Sequence, residues 1–436
     1  MREVKDSGVE WIGEIPANWK IIRLKGLFDF GKGLPITKEN LIEMGIPVIS
    51  YGQIHAKFNN GVNIDDRLFR FVSNSYLQTN SNALVNFGDI LIADTSEDLE
   101  GCGNAVQIDR DTTIFAGYHT IILQSKRKRD NKYLAYEMLT DMWRSQLRSR
   151  ATGVKLFSIS RKMLGECIYI YPPIEDQQKI AAHLDRKSTQ IDALISNAQQ
   201  QIEKLKAYKQ SVITETVTKG LDPDVTMKDS GVEWIGEIPE HWEIVRIKNI
   251  CQFNPSSKKS FSDDDIVSYA PMECVRTGSL VHKEIAIKNV SSGLTYFEEN
   301  DIIMAKVTPC FENGNIAIAT GLTKGMAFGS SELFVFRANE SIKFFLFYFL
   351  QNNIFKKFSI STMTGTGGLK RVSPNFVNNY SFALPPIEER NKIVFYLDRK
   401  CSRIDKLIAL KQQKIEKLQQ YKKSLIYEYV TGKKEV

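Results

Sequence analysis

The stretch KDSGVEWIGEIPANWKIIRLK at residues 5–25 decides the fold, because it returns as KDSGVEWIGEIPEHWEIVRIK at residues 228–248. The two copies are identical at 16 of 21 positions. A second pair of segments, residues 172–206 and 385–419, shares 20 of 35 positions, including PPIE and LDRK. The chain is therefore two copies of one unit: a tryptophan-bearing leading segment, a variable block and a long polar helix. Two copies are too few to stack into a solenoid, so the repeat predicts a pseudo-twofold molecule.

The repeated polar segment predicts one long helix in each copy. A Pro-Pro pair and two acidic residues suit the first turn of the first helix, and Gly220 ends it. The helices Ile174–Glu215 and Ile387–Glu428 would each be about 63 Å long. Apolar side chains recur at intervals of three and four, which predicts that the two helices pair with each other as a coiled coil. If the pseudo-twofold axis lies perpendicular to the helices, they run antiparallel and act as a spacer. The stripe residues are Leu184, Ile191, Ile195, Ile202 and Leu205 in the first helix and Leu397, Ile404, Ile408, Ile415 and Leu418 in the second.

The variable blocks, residues 26–171 and 249–384, share almost no sequence. Short apolar runs between turn residues, such as Ile46–Tyr51, Gly88–Ala93 and Asn300–Lys306, predict buried strands in both blocks. The fold class is therefore α+β: two pseudo-twofold-related domains of mixed α/β structure, separated by the two long helices. The expected segments are 1–171 for the first domain with its leading segment, 172–220 for the central helix, 221–384 for the second domain with its leading segment, and 385–436 for the distal helix.

Composition places the chain among globular proteins and allows a nucleic-acid partner without requiring one. The chain is 42% hydrophobic and 25% charged, and its 58 basic and 51 acidic residues give a net charge of +7. Basic residues are in excess from Lys126 to Lys162, where a solvated helix face is the simpler interpretation. The first residues lack an apolar signal core, and the longest apolar run, Phe344–Leu350, is too short to cross a membrane. We therefore expect a soluble, cytoplasmic protein.

Motifs for catalysis and metal binding are missing from the sequence. It contains no Walker lysine motif, no dinucleotide-binding glycine motif and no H-E-x-x-H. The six cysteines include no C-x-x-C pair, which argues against a zinc site and fits reduced thiols. The five histidines lie far apart along the sequence, so we interpret each as structural or as a surface contact. We expect no catalytic residue and no bound metal or cofactor in this chain.

Two features allow both a structural and a nucleic-acid-binding interpretation. The pairs Trp11/Trp19 and Trp234/Trp242 could stack on bases, but both copies share their whole context, which favours anchors in the core. The basic glycine segments TGVK at 152–155 and TGTGGLKR at 364–371 could approach phosphates closely. An ordinary turn explains each glycine segment at least as well.

The doubled segments around two unlike blocks resemble the specificity subunit of a type I restriction-modification enzyme. The resemblance covers nearly the whole chain and extends to segments 51–55 and 306–314, which are similar to parts of that family's target recognition domains. It implies that each block reads one half of a bipartite, non-palindromic target in double-stranded DNA. It also implies that the helices set the spacing and bind two modification subunits, which methylate adenine, and that restriction subunits join later. S-adenosylmethionine, ATP and Mg²⁺ would then belong to those partner subunits and not to this chain.

The chemistry of the major groove indicates which side chains contact DNA. Arg and Lys suit guanine, Asn and Gln suit adenine, and small hydroxyls suit several bases. Phosphate contacts should outnumber contacts to bases. The candidates in the first block are Tyr51, Gln53, His55, Lys57, Ser96, Lys155 and Arg161. The candidates in the second block are Arg276, Lys306, Thr308, Asn313, Asn315, Ser330, Lys370 and Arg371.

Two other classes of function stay open on the sequence alone. A stand-alone DNA methyltransferase would bind S-adenosylmethionine tightly as the isolated chain. A coiled-coil adaptor that holds protein partners would lack the steep salt dependence of DNA binding that phosphate neutralisation produces. Cofactor binding and salt-dependent DNA binding therefore separate the three possibilities.

Overall fold

The computed structural model describes residues 3–126, 130–257 and 262–436. The chain forms two compact units: Met1–Ala198 together with Gln413–Val436, and Gln199–Gln412. The division between the units falls inside both long helices, so each unit contains one variable block and a part of each helix. These boundaries differ from those of the four segments expected from the sequence, and the four segments remain a prediction.

The two long helices are Ile174–Lys219, with 46 residues, and Ile387–Val430, with 44 residues. Each begins directly after a Pro-Pro pair and carries two acidic residues in its first turn, where the helix dipole favours negative charge. Each ends before a glycine with positive φ, Gly220 at 81° and Gly432 at 72°. The prediction of one long helix in each repeat is confirmed.

The long helices pack antiparallel within each unit. In the first unit the rings of His183 and Tyr429 lie 4.5 Å apart, and Lys422 Nζ lies 2.7 Å from Asp192 Oδ2. In the second unit Lys209 Nζ lies 2.7 Å from Asp405 Oδ2, and Lys411 donates to Gln201. Residue numbers on the second helix therefore fall as those on the first helix rise. All ten predicted stripe residues are buried or half-buried, as a coiled coil requires.

The first variable block contains two four-stranded sheets. The order of the antiparallel sheet is Ala105–Gln107, Ile90–Ala93, Thr120–Ser125 and Phe28–Lys32. The order of the mixed sheet is Arg70–Val72, Ile46–Ile49, Ile114–Ala116 and Leu84–Val85, and its two middle strands are parallel. A short pair joins Thr95–Ser96 to Phe157–Ser158. The helices of the block are Tyr51–Ile54, Tyr76–Thr79, Lys132–Met138, Asp141–Arg148 and Arg161–Glu166.

The second variable block repeats this topology. The order of its antiparallel sheet is Cys251–Phe253, Leu333–Ala338, Ile302–Ala305 and Ile316–Ile318. The order of its mixed sheet is Lys283–Ala286, Ile266–Ala270, Met326–Gly329 and Thr295–Glu298, again with a parallel middle pair. A hairpin joins Val275–Arg276 to Ser279–Leu280. The helices are Ile247–Ile250, Glu340–Phe349, Asn353–Ser361 and Pro374–Asn379.

The two blocks therefore share one fold although they share almost no sequence. Ile90–Ala93 and Ile302–Ala305 occupy the same place in their sheets, and every residue of both strands is buried. Short apolar runs suffice to specify such strands, because a strand buried on both faces needs apolar side chains at every position. The α+β fold class predicted from the repeat is confirmed.

The leading segments connect each block to a long helix. The hairpin Val4–Asp6 with Glu14–Pro16 precedes Lys20–Arg23, which pairs with Ile168–Tyr171. The second copy consists of Met227–Asp229 with Glu237–Pro239, followed by Glu243–Arg246 with Ser381–Leu384. Each leading segment thus forms a strand with the last strand of its own block, directly before the long helix begins.

The tryptophans of the leading segments do not all share one environment. Trp19 and Trp242 are fully buried, and their indole N–H groups donate to Asp176 at 3.2 Å and Glu389 at 3.1 Å, in the first turns of the long helices. The prediction of core anchors is confirmed for these two residues. It is wrong for Trp11, which is 45% exposed because it lies in the loop of the first hairpin. Trp234 is half-buried against Tyr380.

A tyrosine–aspartate bond fixes each block to its long helix. Tyr136 donates to Asp185 Oδ1 at 2.7 Å, and Tyr348 donates to Asp398 Oδ1 at 2.6 Å. Both aspartates belong to the repeated LDRK segment, so the repeat preserves the acceptor while the variable blocks preserve the donor. Burial raises the pKa of both tyrosines well above the usual range, which keeps both hydroxyls protonated as donors.

Candidate DNA interface

In the first unit, three of the candidate residues follow one strand of the mixed sheet. Tyr51 and Gln53 lie in the short helix after Ile46–Ile49, and His55 caps its end. The His55 ring is held at both nitrogens, with Nε2 2.8 Å from the Thr95 carbonyl oxygen and Nδ1 3.0 Å from Asn104 Nδ2. The fold therefore brings His55 beside Thr95–Ser96, the segment that follows the central strand of the other sheet.

Two residues that the sequence did not single out complete this surface. Tyr118 is 44% exposed, and its ring lies 4.0 Å from the ring of His119. His119 has a φ of 54°, which is uncommon for a residue with a side chain, and its Nδ1 lies 2.8 Å from Asp94 Oδ1. The Tyr51 backbone N–H donates to the Tyr118 carbonyl at 3.1 Å. We name Tyr51, His55, Tyr118 and His119 the aromatic cluster, in which Tyr118 is exposed and the other three residues are half-buried.

The other candidates of the first block have different environments. Gln53 accepts from the Ser50 backbone N–H at 3.1 Å, and the buried Ser96 hydroxyl donates to the Asp98 carbonyl at 2.7 Å. Both side chains therefore stabilise loops. Lys155 is exposed and lies two residues before the strand Phe157–Ser158, which pairs with Thr95–Ser96. Arg161 is also exposed and donates to the Phe30 carbonyl at 3.4 Å.

Lys57 lies apart from the aromatic cluster. It lines a cleft of about 1220 Å³ in the first unit, together with Arg144 and Arg148 of one helix and Lys422 of the second long helix. Arg148 is paired with Glu100 at 2.9 Å and with Asp141 at 3.2 Å. The basic run from Lys126 to Lys162 is therefore not one solvated face, since its members serve different contacts. Arg127, Lys128 and Arg129 of this run lie outside the described residues.

In the second unit the candidates gather at the end of the central strand Ile302–Ala305. The Lys306 backbone N–H donates to the Glu332 carbonyl at 3.0 Å, and its ammonium lies 5.7 Å from the centre of the Phe334 ring. Thr308 donates to the Gly368 carbonyl at 2.8 Å and accepts from the Lys370 N–H at 2.9 Å. These bonds bring the glycine segment 364–371 beside the residues that follow the strand.

Arg371 forms a two-point ion pair with Glu332. Its Nε lies 2.9 Å from Glu332 Oε2, and its Nη2 lies 2.8 Å from Oε1. The hydrogen bonds from Arg371 hold the pKa of Glu332 below its usual value, with a further contribution from the Lys306 charge and against the effect of burial. The carboxylate therefore stays ionised and keeps the guanidinium in one orientation.

The remaining candidates of the second block border the same region. Ser330 accepts from the Glu332 N–H at 3.2 Å. Asn315 is buried and its N–H donates to the Cys310 carbonyl at 3.1 Å, whereas Asn313 is exposed. Arg276 is exposed at the end of a strand and donates to its neighbour's carbonyl at 3.0 Å. The structure thus brings the second-block candidates together, while their contacts with DNA remain predictions.

The two surfaces occupy equivalent places but present different chemistry. The bridge between Val307 and Arg371 corresponds to the pairing of Thr95 with Ser158. At this place the first unit presents tyrosine and histidine rings, and the second presents lysine, arginine and glutamate. Surfaces with different donors and acceptors fit different base sequences.

Neither a metal-binding cluster nor a membrane-spanning helix occurs within the described residues. No group of three or more His, Cys, Asp or Glu side chains there is arranged to hold a metal ion. No helix in the same ranges combines the length and apolar character needed to span a bilayer. The six cysteines are unpaired.

Comparison with known proteins gives consistent matches. The family described as type I restriction modification DNA specificity domain matches residues 16–204 and 239–420. The EcoAI specificity subunit of Escherichia coli is 36% identical over 177 residues, which are 39% of this chain and 30% of that relative. The alignment thus spans less than a third of that relative. The MjaVIII specificity subunit of Methanocaldococcus jannaschii is 25% identical over 433 residues, covering 96% of this chain and 93% of the relative.

A solved structure matches the fold over nearly the whole chain. It comes from a study of complex assembly and conformational transition of the type I R-M system. It has a TM-score of 0.67 and covers 95% of this chain and 98% of its own. Its sequence identity is only 14%, so the likeness concerns the fold alone.

Proposed function

Because the chain belongs to the family of type I restriction-modification DNA specificity domains, we propose that it is the DNA-recognition subunit of a type I restriction-modification complex. Each variable block reads one half of a bipartite target, and the long helices set the spacing between the halves. The observation that carries this proposal is the pair of equivalent surfaces with unlike side chains. Two unlike readers on a repeated frame select a non-palindromic, interrupted sequence.

The repeat also supports two copies of one partner. Leu194 and Leu407 occupy the same position in the two long helices and are 48% and 47% exposed. Tyr208 and Tyr421 form a second equivalent pair, 48% and 53% exposed. Exposed apolar residues repeated at matched positions suit a partner surface that is used twice. We propose that one modification subunit binds around Leu194 and a second binds around Leu407, and that restriction subunits join the resulting complex.

In this proposal the chain contributes recognition and no catalysis. S-adenosylmethionine, ATP and Mg²⁺ bind to the partner subunits, and the complex acts in the cytoplasm, which suits the unpaired cysteines. The family match covers both repeats with their recognition blocks, and it favours neither a stand-alone methyltransferase nor a coiled-coil adaptor without DNA.

An exchange of one block tests independent recognition. Residues 26–171 are replaced by the equivalent block of a relative, and methylated sites are mapped in cells that also carry the modification subunit. One half of the target should change while the other half and the spacer stay the same. The matched control exchanges residues 249–384 and should change the opposite half. A change in both halves, or in neither, would contradict the proposal.

Charge substitutions test the repeated partner surface. Leu194→Glu or Leu407→Glu alone should remove one modification subunit from the complex, and the double variant should remove both. The mass of the assembled complex, measured by light scattering, distinguishes these states. Leu77→Glu is the matched control, because Leu77 is 40% exposed but lies in the recognition block. A double variant that still assembles with two modification subunits would show that the partner binds elsewhere.

A further inference from the structure

The Arg371–Glu332 ion pair has a two-point geometry although it lies at the surface. The side chains of Arg371 and Glu332 are 46% and 25% exposed, so the ion pair is not part of a hydrophobic core. Surface ion pairs usually add little to stability, because solvent screens the attraction and ordering the side chains costs entropy. Here the guanidinium is nevertheless held at two points by one carboxylate. A function in binding explains such an arrangement better than stability does.

The backbone around Arg371 is also fixed from two sides. Arg371 exchanges two hydrogen bonds with Thr364, at 2.8 and 3.1 Å. Its neighbours bond to the segment after the central strand: the Val372 N–H donates to the Lys306 carbonyl at 2.9 Å, and the Thr308 N–H donates to the Lys370 carbonyl at 2.9 Å. Few torsions therefore remain free, and binding through the guanidinium costs little further ordering.

The ion pair leaves a defined set of donors. Glu332 engages Nε and one side of Nη2, and Nη1 makes no hydrogen bond to any residue in the described ranges. The remaining N–H groups of Nη1 and Nη2 lie side by side at the free end of the planar guanidinium. Two parallel donors match the O6 and N7 acceptors of guanine in the major groove.

The partner carboxylate favours a base over a phosphate as the ligand. Glu332 neutralises most of the Arg371 charge and would repel a phosphate nearby. Lys306 and Lys370 flank the pair and form no direct ion pair within the described residues, although the Lys306 charge also acts on Glu332. Their ammonium groups therefore suit phosphate contacts. Adenine could accept one hydrogen bond at N7, but its N6 donor would face the second arginine donor and leave that donor unpaired.

We infer that Arg371, aligned by Glu332, reads a guanine in the half-site recognised by the second block. This inference rests on the proposed function and makes it more specific. Arg371 is a specificity-determining residue that contacts the base, and Glu332 is a positioning residue that acts through Arg371. The second half-site therefore contains one G·C pair whose guanine is required.

The test uses the assembled complex with its modification subunit and a DNA library with both half-sites randomised. Arg371→Lys keeps the charge but removes the fork of donors. It should reduce the preference for guanine at one position of the second half-site by about 10- to 100-fold, and leave every other position unchanged. Glu332→Gln should relax the same position by a smaller factor. Lys370→Ala is the control and should weaken methylation of all sequences alike.

The outcomes separate this inference from the function on which it rests. An unchanged first half-site in the variants shows that the protein is folded and reading DNA. A uniform loss over all sequences in Arg371→Lys would mean that Arg371 contacts phosphate, and the inference would be wrong. A second half-site made only of A·T pairs would also overturn it, while leaving bipartite recognition intact. If the unmodified complex selects no sequence, the proposed function fails as well.

Discussion

Glu137 is an ionisable residue in the interior of the first unit, at a position where the second unit has Phe349. Each follows the tyrosine that bonds to the repeated aspartate. Glu137 is fully buried; its Oε1 accepts from the Ile170 N–H at 2.9 Å, and its Oε2 has no hydrogen-bond partner among the described residues. Burial raises the pKa of Glu137 well above its usual value, although the Ile170 bond opposes this effect.

The raised pKa predicts that the contribution of Glu137 to stability decreases as the pH rises. A folded-state pKa above the unfolded value means that the folded protein holds the proton more tightly. The contribution is complete below the unfolded pKa of about 4.3 and is lost as the pH rises through the folded pKa. As the pH rises from the unfolded pKa towards the raised folded-state pKa, unmodified protein should lose stability relative to Glu137→Gln, by up to about 1.4 kcal/mol for each pH unit crossed.

Denaturant unfolding at several pH values measures this difference. Glu43→Gln provides the control, because it makes the same chemical change at an exposed position of the same unit. The control should follow the unmodified protein over the whole pH range. Parallel pH profiles for Glu137→Gln and unmodified protein would show that Glu137 is not protonated in the folded state.

At the scale of helices and strands, the sequence predicted the elements better than it predicted the site. The burial of the stripe residues Leu184 and Leu397 could be predicted because the spacing of apolar residues in the local sequence reveals the buried face of a helix. The strands Ile90–Ala93 and Ile302–Ala305 could be predicted because short continuous apolar runs between turn residues are typical of buried strands. The pairing of Glu332 with Arg371 could not be predicted, since 39 residues separate them and only the fold brings them together.

The aromatic cluster shows the same limit. His119 lies 25 residues from Asp94, its bonding partner, and 64 residues from His55. Histidines that looked scattered along the sequence therefore share one surface. The conformation of His119, with φ at 54°, was also invisible in the sequence, because glycine is the usual signal for that region and here a histidine occupies it.

The long helices predict how the spacing between the half-sites can be changed. Seven residues are added to each helix, between residues 198 and 199 and between 412 and 413, where the two units divide. The insertion keeps the three-four stripe and adds about 10.5 Å. The preferred spacer should lengthen by about three base pairs, and methylation should fall because one half-site also rotates by about 100° about the DNA axis.

Selection of methylated sites from a library with randomised spacers measures the new preference. The control adds four residues to one helix only, which shifts its apolar stripe out of register and should reduce assembly itself. A seven-residue variant that keeps the original spacer would show that the helices do not set the distance.

For the whole molecule, the division of the helices predicts an unusual effect of truncation. Gln413–Val436 belongs to the first unit, where Leu425, Ile426, Tyr429 and Val430 lie in the core. Removing four buried apolar side chains costs about 6–12 kcal/mol, comparable to the whole stability of a typical domain. Deletion of residues 413–436 should therefore unfold the first unit, although the first unit contains the start of the chain.

Hydrogen exchange locates the damage. Amide protection should be lost at Ile90–Ala93 and retained at Ile302–Ala305. Deletion of Lys433–Val436 alone is the control, because these four residues are exposed, and it should leave both strands protected. Equal loss in both strands after the longer deletion would mean that the units do not unfold separately.

The same division has a consequence for the order in which the protein is made. On the ribosome, residues 1–198 are synthesised first, but the core of their unit is completed by residues 413–436, including Val430, whose carbonyl accepts from the Tyr133 hydroxyl at 2.7 Å. The second unit consists of residues 199–412 in one continuous stretch. The half of the protein that is translated later can therefore fold earlier. The first recognition block waits, with part of its apolar surface uncovered, until the second long helix has left the ribosome.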